Sequence, residues 1–114
     1  MQFFKRIQGD SMKVLLSTIV VVGSLMVAGQ ASANQALAQK SGCLACHSID
    51  KKVLGPAYKD VAAKYKGDKS AEAKLIAKVK AGGSGTWGPM PMPANSPQVK
   101  DEDIKSIVQW VLAM

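Results

Sequence analysis

Two cysteines and a histidine share one five-residue stretch, Cys43-Leu44-Ala45-Cys46-His47. They are the only cysteines and the only histidine of the 114-residue chain. The C-x-x-C-H spacing is typical of covalent haem attachment, in which the thiols add to the vinyl groups and the adjacent imidazole binds the iron. One helical turn brings the three groups to the same side of a porphyrin. The motif therefore predicts attachment of haem at Cys43 and Cys46, with His47 as an axial ligand.

Other chemistries fit the two cysteines less well. A thioredoxin-like redox pair belongs near a βαβ pattern, and the sequence contains no credible strand. A structural zinc site needs four ligands, usually arranged as two separated pairs, and the chain has no second pair of cysteines or histidines. The residues therefore favour haem attachment.

The sixth position of a haem iron decides what such a protein does. An open position binds gases or peroxide, whereas two filled positions restrict the iron mainly to electron transfer, and methionine raises the reduction potential. Met90 and Met92 lie in the proline-rich stretch 82–98, which also contains Trp87. Prolines stiffen this stretch, and its apolar side chains predict a loop that folds over an apolar group. In an extended segment Met90 and Met92 point the same way, so the residues alone leave both as candidates.

The first 33 residues have the order of a secretory signal peptide. A basic start precedes an uncharged apolar run at residues 14–29, and Ala31-Ser32-Ala33 is an A-x-A cleavage site. The run has 16 residues, fewer than the roughly 20 that a membrane-spanning helix needs. We therefore expect cleavage after Ala33, a periplasmic product of residues 34–114 and no stable membrane insertion; an uncleaved membrane anchor is the alternative.

The expected product, residues 34–114, is basic. It has 12 lysines, no arginine and 7 acidic residues, which gives a peptide charge of +5 with His47 neutral. Nucleic-acid binding is not indicated, because the sequence has no arginine forks there and little interleaving of aromatic and basic residues. Lysine is a flexible point charge, and a lysine-rich surface favours loose, steered docking onto an acidic partner. Lys51 and Lys52 are candidates for that docking face.

We predict four helices and no strand, hence an all-α domain. The predicted helices span residues 35–46, 57–66, 71–81 and 102–113. Pro56 suits the first position of the second helix, Ser70 is a typical N-cap for the third, and Asp101 can cap the fourth. A domain of 81 residues is small for a self-sufficient core, so a buried haem would supply its apolar centre.

Apolar residues at helical spacing predict which faces are buried. They are Ala36, Leu37 and Ala38 in the first helix, Tyr58, Val61, Ala62 and Tyr65 in the second, and Ile104, Ile107, Val108, Val111 and Leu112 in the last.

Residues 34–114 resemble the small bacterial monohaem class I cytochromes c of the cytochrome c-551/c-552 type over essentially their whole length. Four segments carry the resemblance, and together they are highly specific. They are GCLACH at 42–47, VLGPAYKDVAAKY at 53–65, GTWGPMPMP at 85–93 and WVL at 110–112.

The resemblance implies a role for each site residue. The methionine of the family's P-M-P motif falls on Met92, which would be the sixth iron ligand. Pro56 would offer its carbonyl to the ring N–H of His47, and Trp87 would donate a hydrogen bond to a haem propionate. The fold would be the all-α cytochrome c fold, about four short helices around one covalently bound haem c, with the first and last helices crossing near Trp110.

The function that the resemblance implies is one-electron transfer between respiratory complexes and terminal reductases or oxidases, by a periplasmic protein that is not an enzyme. Redox proteins would dock at the lysine-ringed haem edge of a monomer. The sequence departs from the family's pattern in a longer loop at 94–100 and in Lys100, which stands where Ser or Thr usually caps the last helix. The alternatives are a haem enzyme or gas sensor with an open sixth position, and a haem-free dithiol or metal-binding module.

Overall fold

A computed structural model describes residues 31–114, of which Asn34–Met114 form one compact unit. Most of the predicted signal peptide, residues 1–30, lies outside the described residues. Its A-x-A site, Ala31-Ser32-Ala33, is helical and exposed. Among residues 31–114, no helix is both long and apolar enough to span a bilayer.

The compact unit contains four α-helices, as predicted. They are α1 (residues 31–40 of the described chain, of which 34–40 belong to the compact unit), α2 (Tyr58–Lys64), α3 (Ala71–Ala81) and α4 (Asp101–Leu112). The first helix ends earlier than predicted, at Lys40, and the C-x-x-C segment continues as a 3₁₀ turn, Cys43–Ala45. Gly42 separates the two with a φ of 82°, a left-handed conformation that glycine adopts without a Cβ clash.

The prediction of no strand is wrong for the segment after α3. Strands β1 (Gly83–Gly85) and β2 (Gly88–Met92) form an antiparallel pair in which Gly83 faces Met92. The prolines of β2 exclude a central strand but not an edge pair. Gly83 has a φ of 125°, which residues with a Cβ rarely adopt, so glycines permit a hairpin that the prolines disfavour.

Two helix starts also differ from prediction. Pro56 precedes the N-cap of α2, Ala57, instead of standing in the first turn. Lys100 occupies the N-cap position of α4 without a side-chain cap bond, and Asp101 is the first helical residue. The Asp101 carboxylate pairs with Lys80 at 3.0 Å, so an ion pair to α3 takes the place of the predicted cap.

Asp68 organises the turn before α3. Its carboxylate accepts hydrogen bonds from the Ser70 hydroxyl at 2.6 Å and the Ser70 N–H at 2.9 Å, and it pairs with Lys74 at 3.0 Å. Ser70 holds the predicted N-cap position but makes no side-chain cap bond, because its hydroxyl is bound to Asp68. The bonds from Ser70, and then from Lys74, lower the pKa of Asp68 to about 2.

The core lies where α1, α2 and α4 meet. Its cluster of buried side chains comprises Ala38, Tyr58, Val61, Ile107 and Val111. Trp110 is partly buried against this cluster and stands edge-on to Tyr58, with ring centroids 5.6 Å apart. Leu37 and Ala38 lie on the buried face of α1 as predicted, whereas Ala36 is exposed.

Candidate functional site

A cavity of about 320 Å³ brings together all six residues that the sequence singles out for the site. They are Cys43, Cys46, His47, Pro56, Trp87 and Met92. Buried or half-buried apolar residues of three helices complete the lining, among them Val61, Leu75, Ile107, Val108 and Val111. A mostly apolar cavity with a few convergent polar groups is the usual setting of a ligand or cofactor site.

Residues 46–57, which we call the histidine loop, are held by hydrogen bonds among close neighbours. The Gly55 N–H donates to the Cys46 carbonyl at 2.8 Å, and the Val53 N–H donates to the Gly55 carbonyl at 3.1 Å. His47 and Lys52 form an isolated antiparallel bridge. The loop therefore folds back onto its own histidine.

The His47 ring has defined partners on two sides. Its Nδ1 lies 2.8 Å from the Pro56 carbonyl oxygen. The ring also stacks on Tyr58, with centroids 5.1 Å apart and an interplanar angle of 19°. Because a carbonyl only accepts hydrogen bonds, this contact places the proton of a neutral imidazole on Nδ1. The Nε2 lone pair is then available to bind a metal.

Cys43 and Tyr58 both line the cavity, and their side chains are neighbours. Burial raises the pKa of the Cys43 thiol. Burial, and then the neighbouring Cys43, raise the pKa of Tyr58 far above its usual range. The Tyr58 hydroxyl therefore stays protonated and uncharged at neutral pH. Sequence reasoning assigns Tyr58 to the core alone; its contact with His47 follows from helix placement and has no separate signal in the sequence.

Residues 82–98, which we call the methionine loop, are tied to the end of α3. The Asn95 N–H and its side-chain amide both donate to the Val79 carbonyl, at 3.1 and 3.2 Å, and the Ser96 N–H donates to the Lys80 carbonyl at 3.3 Å. Carbonyls in the last turn of a helix have no partner within the helix. The loop thus caps α3, and α3 fixes the loop.

Gly82 is the position where α3 and the methionine loop come closest. A Cβ on Gly82 would overlap the Met92 carbonyl oxygen and would lie 2.8 Å from the Ala94 nitrogen. Its φ of 70° also favours glycine. The backbone around Met92 is therefore seated directly against Gly82, a contact that no sequence pattern indicates.

The two candidate methionines differ in exposure although both line the cavity. Met90 is 58% exposed, whereas Met92, at the end of β2, is half-buried. Trp87 lies at the turn of the hairpin, and the Lys64 ammonium lies 5.3 Å from its ring centroid. That distance is within the range of a cation–π contact, which connects α2 to the hairpin.

The family model for cytochrome c matches residues 31–114. The chain belongs to the cytochrome c family. Cytochrome c-551 of Allochromatium vinosum is 54% identical over 91 residues, which cover 80% of this chain and 96% of that protein. Cytochrome c-552 of Nitrosomonas europaea is 47% identical over 91 residues, covering 80% of this chain and 87% of that protein.

Solved structures of cytochromes c share the fold. The crystal structure of wild-type Nitrosomonas europaea cytochrome c552 matches with a TM-score of 0.65 at 47% identity, covering 68% of this chain and 95% of that one. Class 1 cytochrome MtoD from Sideroxydans lithotrophicus matches with a TM-score of 0.63 at 38% identity, covering 72% of this chain and 92% of that one.

As a small class I cytochrome c, the chain carries covalently bound haem c with its iron, and it is an electron carrier rather than an enzyme. The cavity residues fit that group. Two thiols and an imidazole with an available Nε2 lone pair share a lining that is otherwise mainly apolar and that includes methionine sulfur. This family membership sets aside the zinc and dithiol alternatives.

Proposed function

We propose that this cytochrome c is a periplasmic one-electron carrier whose haem iron is bound axially by His47 and Met92. The hydrogen bond between His47 Nδ1 and the Pro56 carbonyl, at 2.8 Å, is the observation that carries the proposal. It leaves Nε2 as a neutral donor in the cavity that Cys43, Cys46 and Met92 also line. When bound, haem supplies a one-electron iron couple, whose potential a methionine ligand raises.

Cys43 and Cys46 are the attachment points in this proposal. The 3₁₀ turn Cys43–Ala45 lies within the motif, and both cysteines line the cavity with His47. Thioether bonds from these two sulfurs would hold the porphyrin at a fixed position relative to His47. The cysteines thus anchor the group, while His47 supplies the ligand.

Met92 is the better candidate than Met90 for the sixth ligand. Met92 is half-buried and its backbone rests against Gly82, whereas Met90 is mostly exposed. An iron–thioether bond is weak and benefits from a donor that is held in place and shielded from water. Pro91 and Pro93 on either side of Met92 reduce the number of conformations open to the unbound loop.

Pro56 and Trp87 support the ligands in different ways. By accepting a hydrogen bond from the Nδ1–H of His47, the Pro56 carbonyl fixes the orientation of the ring and raises the basicity of Nε2. Trp87 also lines the cavity, and its indole N–H would donate a hydrogen bond to a haem propionate. Lys64, beside the indole ring, would place a positive charge near that carboxylate.

Export and partner docking complete the proposal. The order of residues 1–33 supports secretion with cleavage after Ala33, and N-terminal sequencing of the periplasmic protein should begin at Asn34. A product that retains its leader would indicate a membrane-tethered carrier.

Lys51 and Lys52, both exposed and adjacent to the cavity wall at His47, favour acidic redox proteins as partners of the monomer.

Absorption spectroscopy of protein from an export-competent host tests the function. The account expects sharp reduced haem c bands, a weak far-red iron–methionine band in the oxidised form and no change when carbon monoxide is added to the reduced protein. A carbon monoxide shift at neutral pH would instead indicate an open sixth position, and hence a gas-binding or catalytic haem. A protein that stays colourless in a host that matures other c-type cytochromes would contradict the attachment at Cys43 and Cys46.

A further inference from the structure

We infer that Gly55 is a positioning residue for His47, because the space that a side chain at Gly55 would fill is occupied by the imidazole. This role rests on the proposed iron ligation by His47. The role of Gly55 is to limit where the His47 ring can lie. This contact is separate from the hydrogen bond between the ring and Pro56.

The contact between Gly55 and the ring is unusually close. A Cβ built on Gly55 would lie 2.6 Å from Cε1, 2.9 Å from Nδ1 and 3.1 Å from Nε2 of His47. Real Cβ atoms essentially never approach another heavy atom to within 3.0 Å, so alanine at this position would have to displace the imidazole or the loop. The ring cannot yield as a flexible chain end does, because Pro56 and Tyr58 hold it.

Backbone conformation does not account for a glycine at this position. Gly55 is absent from the glycines with positive φ, which among residues 31–114 include Gly42, Gly67 and Gly82. A residue with a Cβ can adopt the Gly55 backbone without the strain that it meets in the left-handed region. The requirement for glycine is therefore steric and comes from the imidazole.

The surrounding loop prevents Gly55 from moving away. Its N–H donates to the Cys46 carbonyl at 2.8 Å, and its carbonyl accepts from the Val53 N–H at 3.1 Å. The next residue, Pro56, supplies the carbonyl that binds Nδ1. A Cβ on Gly55 would thus push the ring away from the Pro56 carbonyl. A weaker hydrogen bond from Nδ1 to the Pro56 carbonyl makes Nε2 less basic. A less basic ligand stabilises ferric iron less, so the reduction potential of the haem rises.

NMR of the reduced, diamagnetic holoprotein tests the contact without any substitution. Protons of an axial imidazole are shifted far upfield by the porphyrin ring current, so the same spectrum reports ligation and contact separately. We expect upfield His47 ring protons with strong nuclear Overhauser effects to the Gly55 α protons. Upfield ring protons without these effects would overturn the role of Gly55 alone, whereas unshifted ring protons would contradict the ligation and the positioning role together.

A matched pair of variants tests the consequence for the iron. Gly55→Ala adds a Cβ in contact with His47 at an ordinary φ, whereas Gly67→Ala adds one with nothing within 4 Å at a φ of 82°. We expect G55A to raise the reduction potential and shift the haem methyl resonances of the ferric protein, and G67A to lower only the denaturation midpoint. Equal potentials and haem shifts in wild type and G55A would overturn the inference.

Discussion

The histidine loop (46–57) and the methionine loop (82–98) carry the two proposed iron ligands, and they are held in different ways. His47 contacts residues 8, 9 and 11 positions along the chain, namely Gly55 and Pro56 of its own loop and Tyr58 in the first turn of α2. The methionine loop is instead fixed by carbonyls of a preceding helix, where Asn95 binds Val79 across 16 positions. His47 is thus held by its own loop and by the first turn of the helix that follows it, whereas the methionine loop is held by the end of the helix that precedes it.

This difference has a physical consequence for stability and reactivity. The contacts of His47 lie within its loop and in the first turn of α2, so they do not depend on the end of α3. The methionine loop loses its anchors when the last turn of α3 frays. We therefore predict that mild heating or denaturant disturbs the methionine loop before it disturbs the histidine loop. The sixth position of the iron should open while His47 is still bound.

The largest expected effect comes from removing the proposed sulfur ligand. Met92→Ala should open the sixth position, so that the reduced protein binds carbon monoxide and the far-red band disappears. The reduction potential should fall by roughly 0.1–0.3 V, within the range of about 0.8 V that axial ligands span. Met90→Ala, in the same strand but 58% exposed, is the matched control and should keep the wild-type spectrum. Reversed behaviour of the two variants would assign the ligand to Met90.

Gly82→Ala should break the contact between the methionine loop and α3. The added Cβ would overlap the Met92 carbonyl as well as straining a φ of 70°, so we expect a loss of about 3 kcal/mol or more and weaker iron–methionine absorption. Gly85→Ala, at a φ of 107° with nothing within 4 Å, should cost only the strain of about 1–2 kcal/mol. Denaturant titrations followed by the far-red band compare the free energies of unfolding of the two variants. Equal losses of stability would argue against a close contact between Gly82 and the Met92 backbone.

Charge reversal in the histidine loop should affect docking rather than ligation. We expect Lys51→Glu with Lys52→Glu to slow electron transfer with an acidic partner roughly 10-fold at low ionic strength, since steering depends on local charge. The deficit should shrink as salt is added. Lys66→Glu with Lys69→Glu changes the net charge by the same amount and serves as the control. These two lysines lie outside the histidine loop and do not line the cavity. Stopped-flow rates that fall equally in both double variants would point to overall charge.

The smallest expected effect lies outside both loops, at Asp68. Its pKa is about 2 in the folded protein against an ordinary value of 3.8, so the carboxylate stabilises the fold above its ordinary pKa. That contribution is lost as the pH falls through the folded value. Asp68→Asn should lower the thermal midpoint slightly at about pH 5, and the difference from wild type should vanish near pH 2. The haem spectrum of Asp68→Asn should not change. A changed spectrum would mean that the turn before α3 affects the haem environment.

The sequence allowed the helices and the histidine side to be predicted because their signals are local. The spacing of Tyr58 and Val61 indicates the buried face of α2, and the C-x-x-C-H motif indicates Cys43, Cys46 and His47 directly. The buried faces of the helices could be predicted because side chains three or four residues apart lie on the same face of a helix. Ser70 takes its predicted position but not its predicted bond, since Asp68 competes for the hydroxyl.

The remaining features depend on contacts that no local pattern encodes. The hairpin forms where a glycine-rich run is followed by a proline-rich run, a composition that equally suits an irregular loop. The seat of Met92 on Gly82 and the contact of Gly55 with His47 depend on where two segments meet in space. A glycine in a sequence does not reveal whether it serves a turn or leaves space for a side chain, and only the fold separates Gly55 from Gly67.

Proton NMR of the reduced holoprotein with ¹³C-methyl-labelled methionine shows directly whether the methionine loop supplies Met92 to the iron. A methionine methyl bound to haem iron is shifted far upfield by the porphyrin ring current. The account predicts one such methyl, which persists in Met90→Leu and is lost in Met92→Leu. A spectrum without an upfield methyl, or a signal lost in Met90→Leu and retained in Met92→Leu, would contradict it.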